Sequence, residues 1–230
     1  MSVEIRRGSS RFAEREPGRL TQHAFSFGER YDPAWLAFGP MVCHDDHLLG
    51  AGRGFAEHPH SGLEIVTWVL SGVLVHEDST GTAVELAAGE CGVLSAGSGV
   101  RHSEVASTAG AARFVQVWLR PDDPDTPPAY ARTSVDGLEP GRGIVRVAGE
   151  GSGLPVGVAG ASYGVARLGA NESVELPAAA RLHAYVASGA LLRSSLAEPL
   201  HAGDAFLFTD EPAHVVTAGV PTELLVWSFQ

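Results

Sequence analysis

The sequence predicts an all-β chain built from two small barrels in tandem. Three observations carry that expectation: short apolar or alternating runs, turn chemistry between them, and an internal echo. The runs are Glu64 to Leu70, Gly72 to His76, Ala83 to Leu86, Gly92 to Leu94 and Arg113 to Leu119, with turns at Ser71-Gly72, Ser79-Thr80-Gly81 and Ala88-Gly89-Glu90. Helical periodicity is scarce, and regular short strands at this spacing argue a barrel or sandwich. In the echo, WVLSGVLV (Trp68 to Val75) followed by AAGECGVL (Ala87 to Leu94) resembles YVASGALL (Tyr185 to Leu192) followed by HAGDAFLF (His201 to Phe208). Each copy has a hydrophobic strand ending at Ser-Gly, a second strand, then an Ala-Gly-acid turn, which argues duplication of one unit. The expected division is residues 1–125 and 126–230. PDDPDTPPAY, from Pro121 to Tyr130, interrupts the pattern and reads as a linker or an ordered surface loop, because proline fixes φ and removes a donor.

Composition bounds the function. The 230 residues are 44% hydrophobic, enough for a sizeable core, and 28 glycines with 14 prolines suit many strands joined by turns. The net charge is −11 and no run of Lys or Arg forms a basic face, so direct nucleic-acid binding is disfavoured. No apolar run has the length of a membrane span. The polar segment MSVEIRRGSSRFAEREPGR has no apolar stretch of the signal-peptide kind. Cys43 and Cys91 are far apart, outside any C-x-x-C spacing, and read as buried free thiols. A cytoplasmic, reducing setting is the expectation.

The chemistry concentrates in GRGFAEHPHSGLE (Gly52 to Glu64) and GSGVRHSE (Gly97 to Glu104). On a strand, residues two apart share a face. His58 and His60 therefore point one way, and so do His102 and Glu104. If the two strands are neighbours, three imidazoles and a carboxylate converge, a donor set that suits a borderline divalent metal such as iron, nickel, copper, zinc, manganese or cobalt. Pro59 is tolerable there on an edge or bulged strand. CHDDH, from Cys43 to His47, reads as a solvated loop because no third group at ligand spacing completes a second site. His76 reads as a buried, hydrogen-bonded histidine. Phe55, Trp68, Phe114 and Trp118 read first as core, with a pocket wall as their alternative use.

These segments resemble cupin motifs 1 and 2, and the run H-P-H, E-I-V-T-W-V-L-S-G, H-E-D-S-T-G, S-A-G-S-G-V-R-H-S-E is similar to the pirin family of bicupins. The resemblance runs from Phe25-Ser26-Phe27 and Tyr31-Asp32-Pro33 through Trp118, and more weakly to the C-terminus. It implies two cupin barrels, a metal-binding one at 1–125 and a degenerate one at 126–230, with Fe(II) as the usual metal and His58, His60, His102 and Glu104 as its ligands. Glu64 then takes a structural part or one that supports the ligands. Ser61-Gly62 stands where pirins commonly carry an arginine. In the second half, counting back from Gly189 sets Glu175 and Pro177 where His58 and His60 stand, and Val216 where the carboxylate would be. His183, His201 and His214 therefore read as non-ligands.

The resemblance also implies an activity, since some short bacterial members act as quercetin 2,3-dioxygenases. The expected reaction opens a flavonol with O2 and releases carbon monoxide, with Glu104 taking the proton of the 3-hydroxyl. The competing expectation is a non-catalytic, redox-responsive metal protein that acts through a protein partner.

Overall fold

The computed structural model describes residues 1–135 and 138–230. In chain order the strands are β1 (Ser2–Arg6), β2 (Phe12–Glu16), β3 (Arg19–His23), β4 (Met41–Leu49), β5 (Gly54–His60), β6 (Glu64–Ser71), β7 (Val73–Asp78), β8 (Ala83–Ala87), β9 (Glu90–Ser95), β10 (Val100–Ala106), β11 (Ala112–Leu119) and β12 (Ala129–Ser134). They continue as β13 (Val145–Gly149), β14 (Ala161–Leu168), β15 (Ser173–Leu176), β16 (Ala179–Ser188), β17 (Ala190–Leu191), β18 (Leu200–His201), β19 (Ala205–Glu211), β20 (His214–Thr217) and β21 (Thr222–Phe229). Among the described residues, helical structure is limited to 3-10 turns at Gly8–Ser10 and Pro33–Trp35, and no helix is long and apolar enough to cross a membrane. The all-β class read from the sequence is the class observed.

The chain forms two compact units. One comprises Arg11–Val135 with Leu154–Val158; the other comprises Met1–Ser10, residues 138–153 and Ala159–Gln230. Two strands thus depart from a simple division at residue 125, because β1 lies with the C-terminal strands and β12 with the N-terminal ones. The proline-rich stretch is an ordered surface loop of the first unit. Its Thr126 carbonyl accepts from Ser98 N at 2.8 Å, and its Asp122 N–H donates to the Gly157 carbonyl at 2.9 Å.

Each unit has one large sheet. The order is β12-β9-β6-β11-β4-β3-β2 in the first and β1-β19-β16-β21-β14-β13 in the second. Adding ten to β9, β6, β11, β4 and β3 reproduces β19, β16, β21, β14 and β13 in the same order, with β12 and β1 at equivalent edges. The smaller sheet β5-β10-β7-β8 has its counterpart in the pairs β15-β20 and β17-β18. The sequence echo is therefore an echo of topology.

Both signature turns of the echo have a physical reason. Gly72 and Gly189 have φ of 76° and 82°, and a Cβ at either would run into a carbonyl, that of Ala111 or of Pro221. Only glycine combines that backbone with that approach. The acid of each Ala-Gly-acid turn closes the turn: Glu90 accepts from Ala87 N at 2.7 Å, and Asp204 accepts from His201 N at 3.0 Å. Asp204 also accepts from Gly8 N at 2.7 Å and from Arg7 at 2.8 Å, which anchors the segment after β1.

Burial alone would raise the Asp204 pKa, but the Gly8 and His201 N–H groups and the Arg7 guanidinium outweigh it and hold the carboxyl below its ordinary range. Asp204→Asn is expected to lose about 2 kcal/mol of stability at neutral pH. A folded-state pKa below the unfolded one stabilises above the unfolded carboxylate range, near ~3.9, and that gain fades as pH falls through the folded value. Thermal melts should therefore show the gap between wild type and Asp204→Asn closing in acid.

The cores explain which faces are dry. In the first unit, Leu49, Val69, Leu74, Leu86 and Phe114 form one buried cluster, and Ile65, Leu94, Ala96 and Val100 another. β6 is buried on both faces, as a central strand should be. In the second unit, Val174, Leu176, Phe206, Phe208, Val216 and Leu224 belong to a single apolar cluster.

The CHDDH segment corrects the sequence reading. It is the buried middle of β4, between β3 and β11, and not a solvated loop. Burial is tolerated because Asp45, Asp46 and His47 find partners across the sheet. Asp45 pairs with His23 at 2.8 Å, Asp46 takes two hydrogen bonds from Arg113 at 3.0 and 2.6 Å, and His47 Nδ1 meets Thr21 Oγ1 at 2.9 Å. Cys43 and Cys91 are buried and free, as expected.

Candidate metal centre

The site forms where β5 meets β10. These strands pair antiparallel with His102 directly opposite His58 and Val100 opposite His60. β10 reads VRHSEVA and alternates in burial, so His102 and Glu104 face inward while Arg101 faces out. β5 is the edge of its sheet, which is where a proline between two histidines can sit. The register jumps from His102↔His58 to Glu104↔Phe55, so β5 carries an extra residue there. Such a bulge re-aims side chains, and Phe55 and His58, three residues apart, both line one cavity.

The structure brings His58, His60 and His102 together. Their ring centroids are 4.5 to 5.1 Å apart, and each offers a ring nitrogen within 4.8 Å of the others. Glu104 falls in a second, overlapping group with His102 and His76. Its carboxylate accepts from Gln116 Nε2 at 2.8 Å on both oxygens, with Thr67 Oγ1 at 3.5 Å. Gln116 Oε1 in turn accepts from Trp118 Nε1 at 2.8 Å, which fixes the orientation of the amide.

The electrostatics favour neutral imidazoles at His60 and His102. Burial, then the neighbouring His102 and His58, lowers the His60 pKa to about 4, and burial lowers that of His102. His58 Nδ1 lies 2.8 Å from the Ala56 carbonyl, which can only accept, so the proton sits on Nδ1 and Nε2 keeps its lone pair. His60 Nε2 and both ring nitrogens of His102 are buried without a hydrogen-bond partner. Buried polar atoms are rarely left so. A cation at that point would satisfy His60 Nε2 and one ring nitrogen of His102, so the donor set fits a transition metal.

A cavity of about 250 Å³ adjoins the trio, and its lining includes His58, His60, Glu104, Gln116, Phe27, Phe55 and Trp118. Of the four aromatics considered from sequence, Trp68 and Phe114 are core, whereas Phe55 and Trp118 wall this cavity. Ser61 lines a separate, open depression beside Pro59 and Arg101. The cavity's cation is Arg19, 4.3 Å above the Phe55 ring and paired with Glu14 and Glu16.

Other expectations resolve as follows. His76 is buried, with Nε2 at 3.1 Å from Asp78 and its ring stacked on Tyr130 at 4.2 Å. Glu64 is structural: it accepts from Ser95 Oγ at 2.9 Å and from the Gly157 N–H, and so holds the Leu154–Val158 segment. In the second unit the residue opposite His214 is Leu176, where counting from the glycine had set Glu175 and Pro177 as counterparts of the N-terminal histidines. His214 itself bonds Glu211 at 3.1 Å. Sequence reading missed Gln116, Thr67, His23, Asp45 and Arg19. Gln116 did leave a signal, as the lone polar residue in the run Phe114 to Leu119 of β11.

Comparison with known proteins agrees with this architecture. A family model described as Pirin matches residues 6–119. A Mycobacterium bovis protein provisionally named quercetin 2,3-dioxygenase is 37% identical over 98% of this chain and 94% of its own length. An Escherichia coli protein named quercetin 2,3-dioxygenase is 37% identical over 51% of each chain. The crystal structure of YhhW from Escherichia coli superposes with a TM-score of 0.91 at 27% identity, covering 100% of this chain and 98% of that one. The bacterial pirin YhhW in complex with nickel(II) gives 0.89 at 26% identity, covering 99% of both. With its two topologically equivalent strand units and inward histidines, this chain is a bicupin and belongs to the pirin family.

Proposed function

We propose that the protein is a metal-dependent dioxygenase that cleaves flavonols such as quercetin with O2. One divalent transition metal, iron(II) by preference, is held by His58, His60, His102 and Glu104, and zinc, nickel, manganese, copper and cobalt suit the same donors. The observation that carries this reading is the buried, neutral, unpartnered face of His60 and His102 beside His58, at the wall of a cavity. The names of the Mycobacterium and Escherichia coli relatives support the activity, and the nickel complex of YhhW supports the metal class. Buried free thiols fit a reducing compartment, and we place the protein in the cytoplasm. The apolar interior of the second unit supports a single metal per chain.

A metal held by His58, His60, His102 and Glu104 would supply Lewis acidity toward the enol oxygen and activation of dioxygen. The chain's residues do the rest. Glu104, aimed by Gln116, takes the proton of the substrate's 3-hydroxyl. Phe27, Phe55 and Trp118 exclude water and face flat rings. Gln116→Leu strips the donors from Glu104 and is expected to weaken nickel binding or turnover about 10- to 100-fold, read by competition titration and oxygen uptake.

The test is oxygen consumption and carbon monoxide release by metal-loaded protein with quercetin. Turnover that tracks bound metal is the expected result. A fully metallated wild type that turns over nothing contradicts the enzyme reading and favours the metal-sensing alternative.

A further inference from the structure

We propose that His23, held by Asp45, recognises a second hydroxyl of the aromatic substrate, at the end of the cavity away from the histidine trio. This rests on the flavonol reading above and adds a specificity-determining residue to it.

His23 is 6% exposed, and Asp45 is buried beside it. The His23 Nδ1 to Asp45 Oδ2 contact is 2.8 Å. A carboxylate only accepts, so the proton is on Nδ1 and Nε2 carries a lone pair. That Nε2 is buried and makes no hydrogen bond; the Glu14 carboxylate is 3.7 Å from it. Both His23 and Asp45 line the cavity. Neighbouring polar groups are committed elsewhere: Arg19 to Glu14, Glu16 and the Phe55 face, and His47 Nδ1 to Thr21. An acceptor is therefore left open toward the cavity, and a ligand hydroxyl satisfies it.

The span suits a planar ligand. His23 stacks on Phe27 at 4.9 Å and 9°, Phe27 meets Trp118 edge-on at 5.8 Å, and Trp118 meets His60 at 4.8 Å. Two aromatic rings thus separate the open nitrogen of His23 from the trio. A ring system lying along that wall, with one hydroxyl at the trio and another at His23, satisfies both ends. A ligand without the second hydroxyl leaves Nε2 buried and unpaired, the arrangement that gives polar sites their selectivity. Burial opposes charge on His23, but Asp45 and Glu14 outweigh it and raise its pKa, so Nε2 accepts in the neutral ring, at pH above that raised value.

The test is an anaerobic titration of nickel-loaded protein with quercetin and with 3-hydroxyflavone, the flavonol without further ring hydroxyls. Wild type is expected to prefer quercetin by about tenfold, the value of one good hydrogen bond. His23→Phe keeps a ring against Phe27 but has no acceptor, and its preference should fall to about one. His23→Gln, whose amide oxygen still accepts, should recover part of it. Circular dichroism and nickel content verify that the variants are folded and loaded. A wild type that binds both probes equally, or a His23→Phe that keeps the full preference, overturns the inference and leaves the flavonol reading standing. A wild type that binds neither probe overturns both.

Discussion

His102→Ala is expected to abolish stoichiometric metal binding while leaving the fold intact, with nickel affinity down at least about 100-fold. His102 is 1% exposed and sits on β10, which pairs with β5 on one side and β7 on the other. Its ring is 4.5 Å from His58, 5.1 Å from His60 and 5.3 Å from His76, and it belongs to both ligand-capable groups. Among the described residues, no other belongs to both. Removing it leaves His58 and His60 on an edge strand, with Glu104 and His76 in the other group. The strand ladder is backbone-made, so pairing of β5 with β10 persists. A chelator competition titration measures the loss, and a variant that retains nickel within about threefold of wild type would remove His102 from the ligand set.

Glu104→Gln is expected to cut turnover per bound metal by about 10²- to 10⁴-fold, the range of a lost general base. The substitution is nearly isosteric, and its amide oxygen can keep one of the two contacts, both now 2.8 Å, that Gln116 Nε2 donates to the carboxylate. What disappears is the negative charge and the capacity to take a proton. Normalising oxygen uptake to metal content separates that loss from weakened binding. Turnover per metal equal to wild type would assign the proton to another group.

How much of this was legible in the sequence depended on whether a residue's role is set by its own strand or by a distant partner. The period-two spacing of His58 with His60 and of His102 with Glu104 fixes which face each pair shares, and Pro59 called for the edge or bulged strand that β5 is. The Ser-Gly and Ala-Gly-acid echo predicted a repeated topology because those turns need glycine at positive φ and an acid to close them. Roles set by partners stayed hidden. Asp45 answers His23 across 22 positions and Asp46 answers Arg113 across 67, so CHDDH looked like a polar loop when it is a satisfied strand. Gln116 reaches Glu104 and Thr67 from a third strand. The exchange that sets β1 in the C-terminal sheet and β12 in the N-terminal one has no local signature at all, since each strand is short and edge-like.

The most direct check on the metal centre is anomalous diffraction from a nickel-loaded crystal of the full chain, recorded above and below the nickel edge. One peak per chain, in bonding reach of ring nitrogens of His58, His60 and His102 with the Glu104 carboxylate completing the set, is the predicted result. A peak elsewhere, or none in protein that elemental analysis shows to be saturated with nickel, would contradict it.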